Sequence, residues 1–335
     1  MEYRILGKTG LKVSRLGLGG IPIQRIDGEG TKTLVREMMA QGVNYIDTAR
    51  GYTVSEEYLG YALEGIRDKF ILATKGRATT REDMKADIEK SLKNLRTDYI
   101  DLYQFHNPSM AALDAIIAPG GALEGMLEAK AAGKIGHIGA TTHSLAVFAR
   151  LLELPWVETI MFPYNIVENQ AQELIERCAE KNIGFICMKP LAGGAIEDGT
   201  LALRYVAANE HVTEIIPGMA DLQELEQNVR AISNPQPLTE EEQAAAQRVR
   251  DSLGTQFCRR CNYCAPCTVG IAIPSVFLFE GYLSRYGLEG WARERYGTLA
   301  HTASACVGCG DCETRCPYHL PIRDMMKRAA EKFGY

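Results

Sequence analysis

The stretch that decides the fold is residues 44–52, which read NYIDTARGY. Residues 44–49 are mostly apolar and have the composition of a short buried strand. Asp47 lies near the carboxyl end of this strand, and Tyr52 follows in the next loop. In a parallel α/β barrel, side chains at this end of a strand face the site where chemistry takes place.

Two later stretches repeat this arrangement. Residues 70–74, FILAT, precede Lys75, and residues 99–105, YIDLYQF, precede His106. The carboxyl ends of all strands in a parallel barrel open on one face. We therefore expect Lys75 and His106 to lie beside the polar groups of the first stretch.

These four side chains form a recognisable acid for carbonyl chemistry. An ammonium group at Lys75 favours the tyrosinate and lowers the pKa of Tyr52, while Asp47 holds Lys75 in place and charged. His106 is suited to donate a hydrogen bond to a carbonyl oxygen. The set predicts reduction of a ketone or aldehyde by hydride transfer.

Strand-like and helix-like segments alternate along most of the chain, after a predicted hairpin at residues 3–15 that caps the barrel's bottom. The predicted strands are 16–19, 44–49, 70–75, 99–105, 134–140, 157–162, 183–189 and 213–217. The predicted helices lie near 31–41, 55–64, 82–95, 121–132, 145–152, 170–181, 200–208 and 221–230. Eight repeats predict a closed α/β barrel, the (β/α)8 or TIM barrel. An open doubly wound sheet is the weaker alternative, because no Gly-x-Gly-x-x-Gly follows the first strand.

The settings of the four polar residues resemble a known family. Residues 46–52 read IDTARGY, residues 73–76 read ATKG and residues 104–107 read QFHN. They are similar to the catalytic tetrad of the aldo-keto reductases, and the resemblance covers residues 1 to about 250. It implies a (β/α)8 barrel and carbonyl reduction, or alcohol oxidation, by a nicotinamide cofactor, with Tyr52 as proton donor.

The resemblance also implies where the cofactor binds, in the loops after the last four strands. Thr141 and Asn165 would hold the nicotinamide carboxamide, and the thioether of Met188 would pack where many relatives have an aromatic ring. Met161 stands where many relatives have Gln. The expected contacts are Thr141, His143, Asn165, Met188, Leu191, Gly193, Gly194, Gly218, Glu224, Gln227 and Asn228.

The choice between NAD(H) and NADP(H) follows from two of these positions. Relatives selective for NADP usually carry Lys at the position of Gly218 and Arg at the position of Glu224. Both cations are missing, and Glu224 would repel a 2′-phosphate while accepting hydrogen bonds from ribose hydroxyls. We predict a preference for NADH.

Eight of the ten cysteines lie between Cys258 and Cys316. They form two motifs, Cys258-x2-Cys261-x2-Cys264-x2-Cys267 and Cys306-x2-Cys309-x2-Cys312-x3-Cys316-Pro317. The second motif is the bacterial ferredoxin run, whose fourth cysteine ligates the other cluster. The spacing therefore predicts two [4Fe–4S] clusters, one bound by Cys258, Cys261, Cys264 and Cys316 and the other by Cys306, Cys309, Cys312 and Cys267. Zinc is the alternative, but zinc sites usually pair two Cys-x2-Cys knuckles per metal.

Both halves together resemble the aldo-keto reductases that carry a ferredoxin-like C-terminal domain. The usual form has Pro directly after the fourth cysteine of the first motif, where this chain has Thr268. The aromatic, helix-patterned residues 276–299 are expected to form the clusters' hydrophobic jacket. The aromatic residues concerned are Phe277, Phe279, Tyr282, Tyr286, Trp291 and Tyr296.

The predicted domains are a barrel at residues 1–253 and a small, mainly helical iron–sulfur domain at residues 254–335. Residues 234–237, NPQP, break the barrel pattern. Thr239 and Glu242 then have the spacing of a capping box, which predicts a helix to about Leu253.

Composition excludes several other functions. The formal net charge is −5 in 335 residues, which gives no reason to expect nucleic-acid or membrane binding. We find neither an apolar signal region nor an apolar run near the roughly 20 residues that span a bilayer. A cytoplasmic protein is expected, with Cys178 and Cys187 as core residues.

Three functions remain open. The first is carbonyl reduction with a nicotinamide cofactor and a small-molecule carbonyl substrate. The second is a reductase whose clusters receive single electrons from a redox partner, ferredoxin or a flavoprotein. The third is a non-enzymatic iron–sulfur electron carrier or redox sensor. A hydride carries two electrons, whereas a cluster passes one at a time. In the first function the clusters could therefore serve either a structural role or electron transfer.

Overall fold

The computed structural model describes residues 1–233 and 236–334. The chain begins with an antiparallel hairpin of β1 (Tyr3–Ile5) and β2 (Lys12–Ser14). The turn between them is anchored by the Lys8 N–H, which donates to the Asn182 carbonyl oxygen at 2.7 Å, and Leu6 is fully buried. The predicted hairpin at 3–15 is confirmed.

Eight parallel strands form the barrel, and neighbours in space are neighbours in sequence. They are β3 (Leu18–Gly19), β4 (Tyr45–Asp47), β5 (Ile71–Gly76), β6 (Ile100–His106), β7 (Ile135–Thr141), β8 (Thr159–Pro163), β9 (Gly184–Met188) and β10 (Glu214–Ile216). The seam is closed by the Gly17 N–H, which donates to the Ile215 carbonyl at 2.9 Å, and by the Gly19 N–H, which donates to Pro217 at 2.8 Å. The predicted barrel is confirmed.

Closure of the barrel at this seam requires a glycine at position 19. A Cβ atom at Gly19 would lie 2.9 Å from the Ile216 carbonyl oxygen and 3.0 Å from that of Pro217. Because backbone atoms cannot move aside as a side chain can, a larger residue would open the barrel at this point.

Helices follow most barrel strands, and all eight predicted ones are present. A ninth helix, α4, was missed by the sequence analysis. It begins after Ser109, whose hydroxyl accepts a hydrogen bond from the Ala112 N–H at 3.2 Å. The helices are α1 (Gly28–Ala40), α2 (Ser55–Ala62), α3 (Arg81–Asn94), α4 (Met110–Ile117), α5 (Ala122–Ala131), α6 (Leu145–Leu151), α7 (Gln172–Glu180), α8 (Gly199–Ala207) and α9 (Leu222–Ile232).

The chain divides into two compact units. The barrel unit comprises Met1–Asn165, Asn169–Pro190 and Asp198–Leu238, and the C-terminal unit comprises Ile166–Glu168, Leu191–Glu197 and Thr239–Tyr335. The division of domains after residue 253 stays a prediction. Of the predicted break at 234–237, residues 234 and 235 lie outside the described residues.

The C-terminal unit is mainly helical. Its first helix, α10, begins with the predicted capping box, because Thr239 and Glu242 each bond the other's backbone N–H. The helices are α10 (Glu240–Leu253), α11 (Ile273–Ser284), α12 (Glu289–Gly297), α13 (Asp311–Thr314) and α14 (Ile322–Phe333). The sequence analysis did not predict α13 or α14.

Aromatic rings organise the core of this unit. Tyr296 stacks on Phe333 with ring centroids 3.7 Å apart, and Tyr282 stacks on Trp291 at 4.5 Å. Phe277, Phe279, Tyr282 and Tyr296 share one buried core with Cys264 and Cys316, and Tyr286 and Trp291 pack against it. The expected hydrophobic jacket of residues 276–299 thus packs with cysteines of the predicted clusters. Throughout residues 1–233 and 236–334, every helix is too short or too polar to cross a membrane.

Candidate active site and cysteine-lined cavities

A buried ion pair joins β4 to β5. The ammonium of Lys75 donates hydrogen bonds to Asp47 Oδ1 and to the Thr48 carbonyl oxygen, the latter at 2.8 Å. The other carboxylate oxygen of Asp47 accepts from Gln104 Nε2 at 2.9 Å. Lys75 and Asp47 are both about 2% exposed, so two charges are removed from water together.

Burial dominates the electrostatics of this pair. It lowers the pKa of Lys75, although the carboxylates of Asp47 and Glu56 oppose that shift. It raises the pKa of Asp47, against the opposing effects of Lys75 and Gln104. Each charged form is therefore retained because the other partner is present.

Tyr52 and His106 lie beside this pair. The Lys75 ammonium nitrogen is 5.2 Å from the centroid of the Tyr52 ring. The rings of Tyr52 and His106 meet edge to face, with centroids 5.8 Å apart at 89°. The structure thus brings together Asp47, Lys75 and His106, at the carboxyl ends of β4, β5 and β6, and Tyr52, in the loop after β4. Their catalytic roles stay a prediction.

The ends of β7 and β8 carry buried polar groups of the kind that a carboxamide needs. Thr141 is buried, and its hydroxyl accepts from the Asn107 N–H at 3.0 Å. Asn165 is fully buried, and its amide nitrogen donates to the Lys189 carbonyl at 3.0 Å. Because a hydroxyl and an amide stand at adjacent strand ends, this donor set fits a nicotinamide carboxamide. Met188 ends β9, partly buried.

Asn107 links two of the expected cofactor residues and was missed by the sequence analysis. Its side-chain oxygen accepts from the His143 N–H at 3.1 Å and lies 3.2 Å from His143 Nδ1. Asn107 has a φ of 55°, a left-handed conformation that Asn tolerates better than most residues. An Asn directly after the strand-end His106 was the available clue.

The amino end of α9 is already occupied by carboxylates. Asp221 caps the helix by accepting from the Glu224 N–H at 2.8 Å, and Glu224 accepts from the Ala220 N–H at 2.6 Å. Arg25 Nη2 lies 3.2 Å from Glu224 Oε1. Sequence analysis missed Arg25, because 199 residues separate it from Glu224.

The remaining expected cofactor residues have different surroundings. Gly218 faces Pro22, whose Cγ would lie 2.6 Å from an added Cβ. On α9, Gln227 is exposed and Asn228 is largely buried. Leu191, Gly193 and Gly194 belong to the C-terminal unit, where the Gly193 carbonyl accepts from Arg285 Nε at 3.1 Å. All of these cofactor contacts stay predictions.

Two cavities in the C-terminal unit are lined by cysteines. Four cysteines line the first, together with Phe277 and Tyr318, and four others line the second, together with Val269 and Met326. The first set is Cys258, Cys261, Cys264 and Cys316, and the second is Cys267, Cys306, Cys309 and Cys312. These are the two quartets that the spacing predicts, so the cysteines fit two cubane clusters. Within the described residues, no group of three or more His, Cys, Asp or Glu is arranged to hold a single metal ion.

The surroundings of the two quartets differ. Burial raises the pKa of Cys258 to about 11 and that of Cys264 to about 12. Metal binding would therefore have to offset the free-energy cost of deprotonating these two thiols. In the second quartet Cys309 is exposed. The Thr268 hydroxyl lies 3.3 Å from Cys309 Sγ, and a hydrogen bond to a ligating sulfur is one of the features that set a cluster's potential.

Two arginines lie beside the first quartet. Arg259 is 7% exposed, and its guanidinium carbon lies 3.8 Å from the centroid of the Tyr318 ring. Arg260 Nη2 lies 2.6 Å from Glu168 Oε1, a carboxylate that is almost fully buried. Positive charge is therefore available next to the cysteines of the first quartet.

The fold and the site define a class of enzyme: a parallel barrel with polar groups gathered at the carboxyl ends of its strands, followed by a cysteine-rich domain. The sequence matches the Aldo/keto reductase family over residues 15–200, which is more than half of the chain. The chain belongs to the aldo/keto reductase family and is an oxidoreductase. Residues 257–321 match a 4Fe-4S dicluster domain.

Individual relatives agree with this membership. The chain is 28% identical over 289 residues to L-galactose dehydrogenase of Arabidopsis thaliana, across 71% of this chain and 90% of that one. It is 35% identical over 225 residues to the aldo-keto reductase YhdN of Bacillus subtilis, across 60% and 66% of the two chains. Among solved structures, the holo form of the aldo-keto reductase AKR11C1 from Bacillus halodurans superposes with a TM-score of 0.66, at 26% identity, across 74% of this chain and 96% of that one.

Proposed function

We propose that the protein reduces a small-molecule carbonyl compound, or oxidises the corresponding alcohol, with a nicotinamide cofactor. The observation that carries this proposal is the buried Lys75–Asp47 pair, with the Lys75 ammonium 5.2 Å from the Tyr52 ring. An ammonium held in a water-poor site favours loss of the phenol proton far more than it would in water. Tyr52 is thereby suited to act as an acid near neutral pH.

Each of the four residues has a distinct part. Tyr52 donates its proton to the carbonyl oxygen, and Lys75 stabilises the tyrosinate that remains. Asp47 keeps Lys75 charged, and Gln104 fixes the second oxygen of that carboxylate. His106, edge to face with Tyr52, orients the substrate oxygen.

A bound nicotinamide would supply the hydride that reaches the carbonyl carbon. Thr141 and Asn165 would hold its carboxamide, and His143 and Met188 would complete the pocket. Asn107 would act on this pocket indirectly, because it fixes both Thr141 and His143.

We propose NADH as the preferred cofactor. The N–H groups of Ala220 and Glu224, which an adenosine 2′-phosphate would otherwise use, are bonded to the Glu224 and Asp221 carboxylates. Arg25 weakens the negative field of Glu224 without removing its carboxylate from the helix end. Ribose hydroxyls, which donate hydrogen bonds, suit such a site better than a phosphate.

Glu224→Gln is expected to lower the dissociation constant of NADPH, relative to that of NADH, by about tenfold. At about 4 Å a unit charge contributes about 1 kcal/mol in water and more near a protein surface, and the 2′-phosphate carries up to two charges. The measurement is titration of each nucleotide by quenching of protein fluorescence. Glu226→Gln on the same helix, which removes an ion pair with Arg230, is the matched control and should leave the ratio unchanged. Tighter binding of NADPH than NADH by the wild-type protein would contradict the preference.

We propose two [4Fe–4S] clusters, one in each cysteine-lined cavity. Single electrons would enter or leave through the second quartet, because its Cys309 is exposed while Cys264 and Cys316 of the first are buried. The redox partner would be a one-electron carrier such as ferredoxin or a flavoprotein. A cytoplasmic location suits eight cysteines that must stay reduced to ligate iron.

A second candidate function keeps the barrel and the clusters but uses electrons from a partner instead of hydride. It is favoured by Met161 and Met188, which leave the expected nicotinamide site with thioethers where relatives have an amide and an aromatic ring. In that reaction two electrons would pass one at a time to a substrate beside Tyr52.

Rapid anaerobic mixing of the cluster-loaded protein with NADH separates the two candidates. For the proposed function, NADH is consumed in proportion to an added aldehyde, while the cluster absorbance stays constant. For the second, NADH has no effect, reduced ferredoxin bleaches the clusters, and a carbonyl substrate restores their colour. Bleaching by NADH alone would indicate direct transfer from the cofactor to a cluster.

A further inference from the structure

A second buried carboxylate lies behind the candidate active site. Glu56, in the first turn of α2, is 1% exposed. One of its oxygens accepts from the hydroxyls of Thr74 and Ser91, both at 2.8 Å. The other accepts from Arg50 Nη1 at 2.5 Å and from Asn94 Nδ2 at 3.2 Å. Four donors meet the requirement of a buried carboxylate for hydrogen-bond partners.

Two of these donors adjoin residues of the candidate site. Thr74 directly precedes Lys75 on β5, and Arg50 lies two residues before Tyr52. The Arg50 N–H also donates to the Lys75 carbonyl oxygen at 3.0 Å. The loop that carries Tyr52 is thus tied to β5 through its backbone and, through the Arg50 side chain, to the carboxylate that holds Thr74.

We propose that Glu56 is a positioning residue, which fixes the Tyr52 loop against Lys75 through Arg50 and Thr74. This inference rests on the proposed function, because it assigns Glu56 to the acid formed by Tyr52 and Lys75. A misplacement of about 1 Å in such a site can lower the rate about a hundredfold.

The charged groups around Glu56 and Lys75 set the direction of the effect. Asp47 and Glu56 favour the ammonium of Lys75, while Lys189 disfavours it. The charged and titratable groups that face this region are Asp47 on β4, Arg50 after β4, Asp87 on α3, Tyr103 on β6 and Lys189 after β9. Loss of the Glu56 negative charge therefore lowers the pKa of Lys75 and, by the same electrostatic effect, lowers the pKa of the Tyr52 phenol.

Glu56→Gln is expected to lower kcat for aldehyde reduction about tenfold to a hundredfold with little change in KM. The alkaline limb of the kcat profile should move to lower pH. Glu56→Asp keeps the charge, so its alkaline limb should remain at the wild-type pH although kcat falls. The profiles are measured with NADH and an aldehyde that the wild-type protein reduces. Glu64→Gln, which removes an exposed ion pair with Arg96 just beyond α2, should change neither quantity.

Titration of the Tyr52 phenol provides a readout that needs no turnover. The absorbance difference between each protein and its Tyr52→Phe counterpart gives the pKa of Tyr52, which should be lower in Glu56→Gln than in wild type. An unchanged pKa and pH profile, even with a lower melting temperature, would show a merely structural role and overturn the inference. If the wild-type protein reduces no carbonyl, the proposed function fails, while this titration still decides the role of Glu56.

Arg50→Lys tests the same inference if Glu56→Gln does not fold. It leaves the bonds from Thr74 and Ser91 to Glu56, and it keeps both charges, but it removes the guanidinium that reaches the carboxylate. A lower kcat with an unmoved alkaline limb is expected, and wild-type kcat would overturn the positioning role.

Discussion

Tyr52→Phe is expected to lower kcat for carbonyl reduction about a thousandfold, while NADH binding and the iron content stay at wild-type values. General acid catalysis contributes about a hundredfold to ten-thousandfold, and the substitution removes the proton donor while leaving the ring beside Lys75. The measurement is steady-state reduction of an aldehyde, with nucleotide titration as the binding check. Tyr58→Phe, on the adjacent helix α2, is the matched control and should retain full activity.

A coupled substitution sharpens this test. Lys75→Met alone would leave Asp47 as an uncompensated buried charge, which typically destabilises a protein by about 3–5 kcal/mol. It is therefore combined with Asp47→Asn. If Lys75 acts only through Tyr52, adding Tyr52→Phe to this pair should cost little further activity, because residues that act as a unit are strongly non-additive. Full activity of Tyr52→Phe would refute the proton-donor role and favour the cluster-fed reaction.

Much of the barrel follows from the sequence because its strands obey a local rule. Each of β4, β5 and β6 is a short, mostly apolar run with a polar side chain at or next to its last residue. A parallel barrel brings such ends together whatever their distance along the chain. Local rules also gave the capping box at Thr239, since both of its residues lie within one helical turn. Spacing also predicts the two cysteine quartets, and each quartet lines one cavity of the C-terminal unit. That each quartet ligates a cluster stays a prediction.

The missed features depend on contacts that spacing does not encode. Arg25 and Glu224, or Glu56 and Ser91, are common residue types whose meeting depends on how whole helices pack. The barrel helix α4 was missed because its apolar residues, MAALDAII, resemble a buried strand as much as a helix. The helix α14 has apolar residues at the helical spacing of positions 322, 326, 329, 330 and 333, but it follows the cysteine run and Pro321, where a loop was equally reasonable.

Removing one cysteine from each quartet is expected to show which thiolates share a cluster. Cys264→Ala and Cys316→Ala should lose the same cluster, so that iron falls from about eight to about four atoms per chain in both. Cys267→Ala and Cys309→Ala should lose the other. The physical reason is the crossed arrangement: Cys316 lines the first cavity although it ends the second motif, and Cys267 lines the second cavity although it ends the first motif.

Iron and sulfide analysis and electron paramagnetic resonance of the reduced proteins distinguish the two pairs of variants. The two variants of one quartet should show the same remaining cluster signal, and the other two variants should show the other signal. Cys178→Ala, a buried cysteine of α7 in the barrel unit, is the control and should keep both clusters. If Cys316→Ala lost the cluster that Cys309→Ala loses, the crossed ligation would be wrong. Zinc in place of iron in the purified protein would instead support paired Cys-x2-Cys knuckles, and the exposed Cys309 would then have no part in electron transfer.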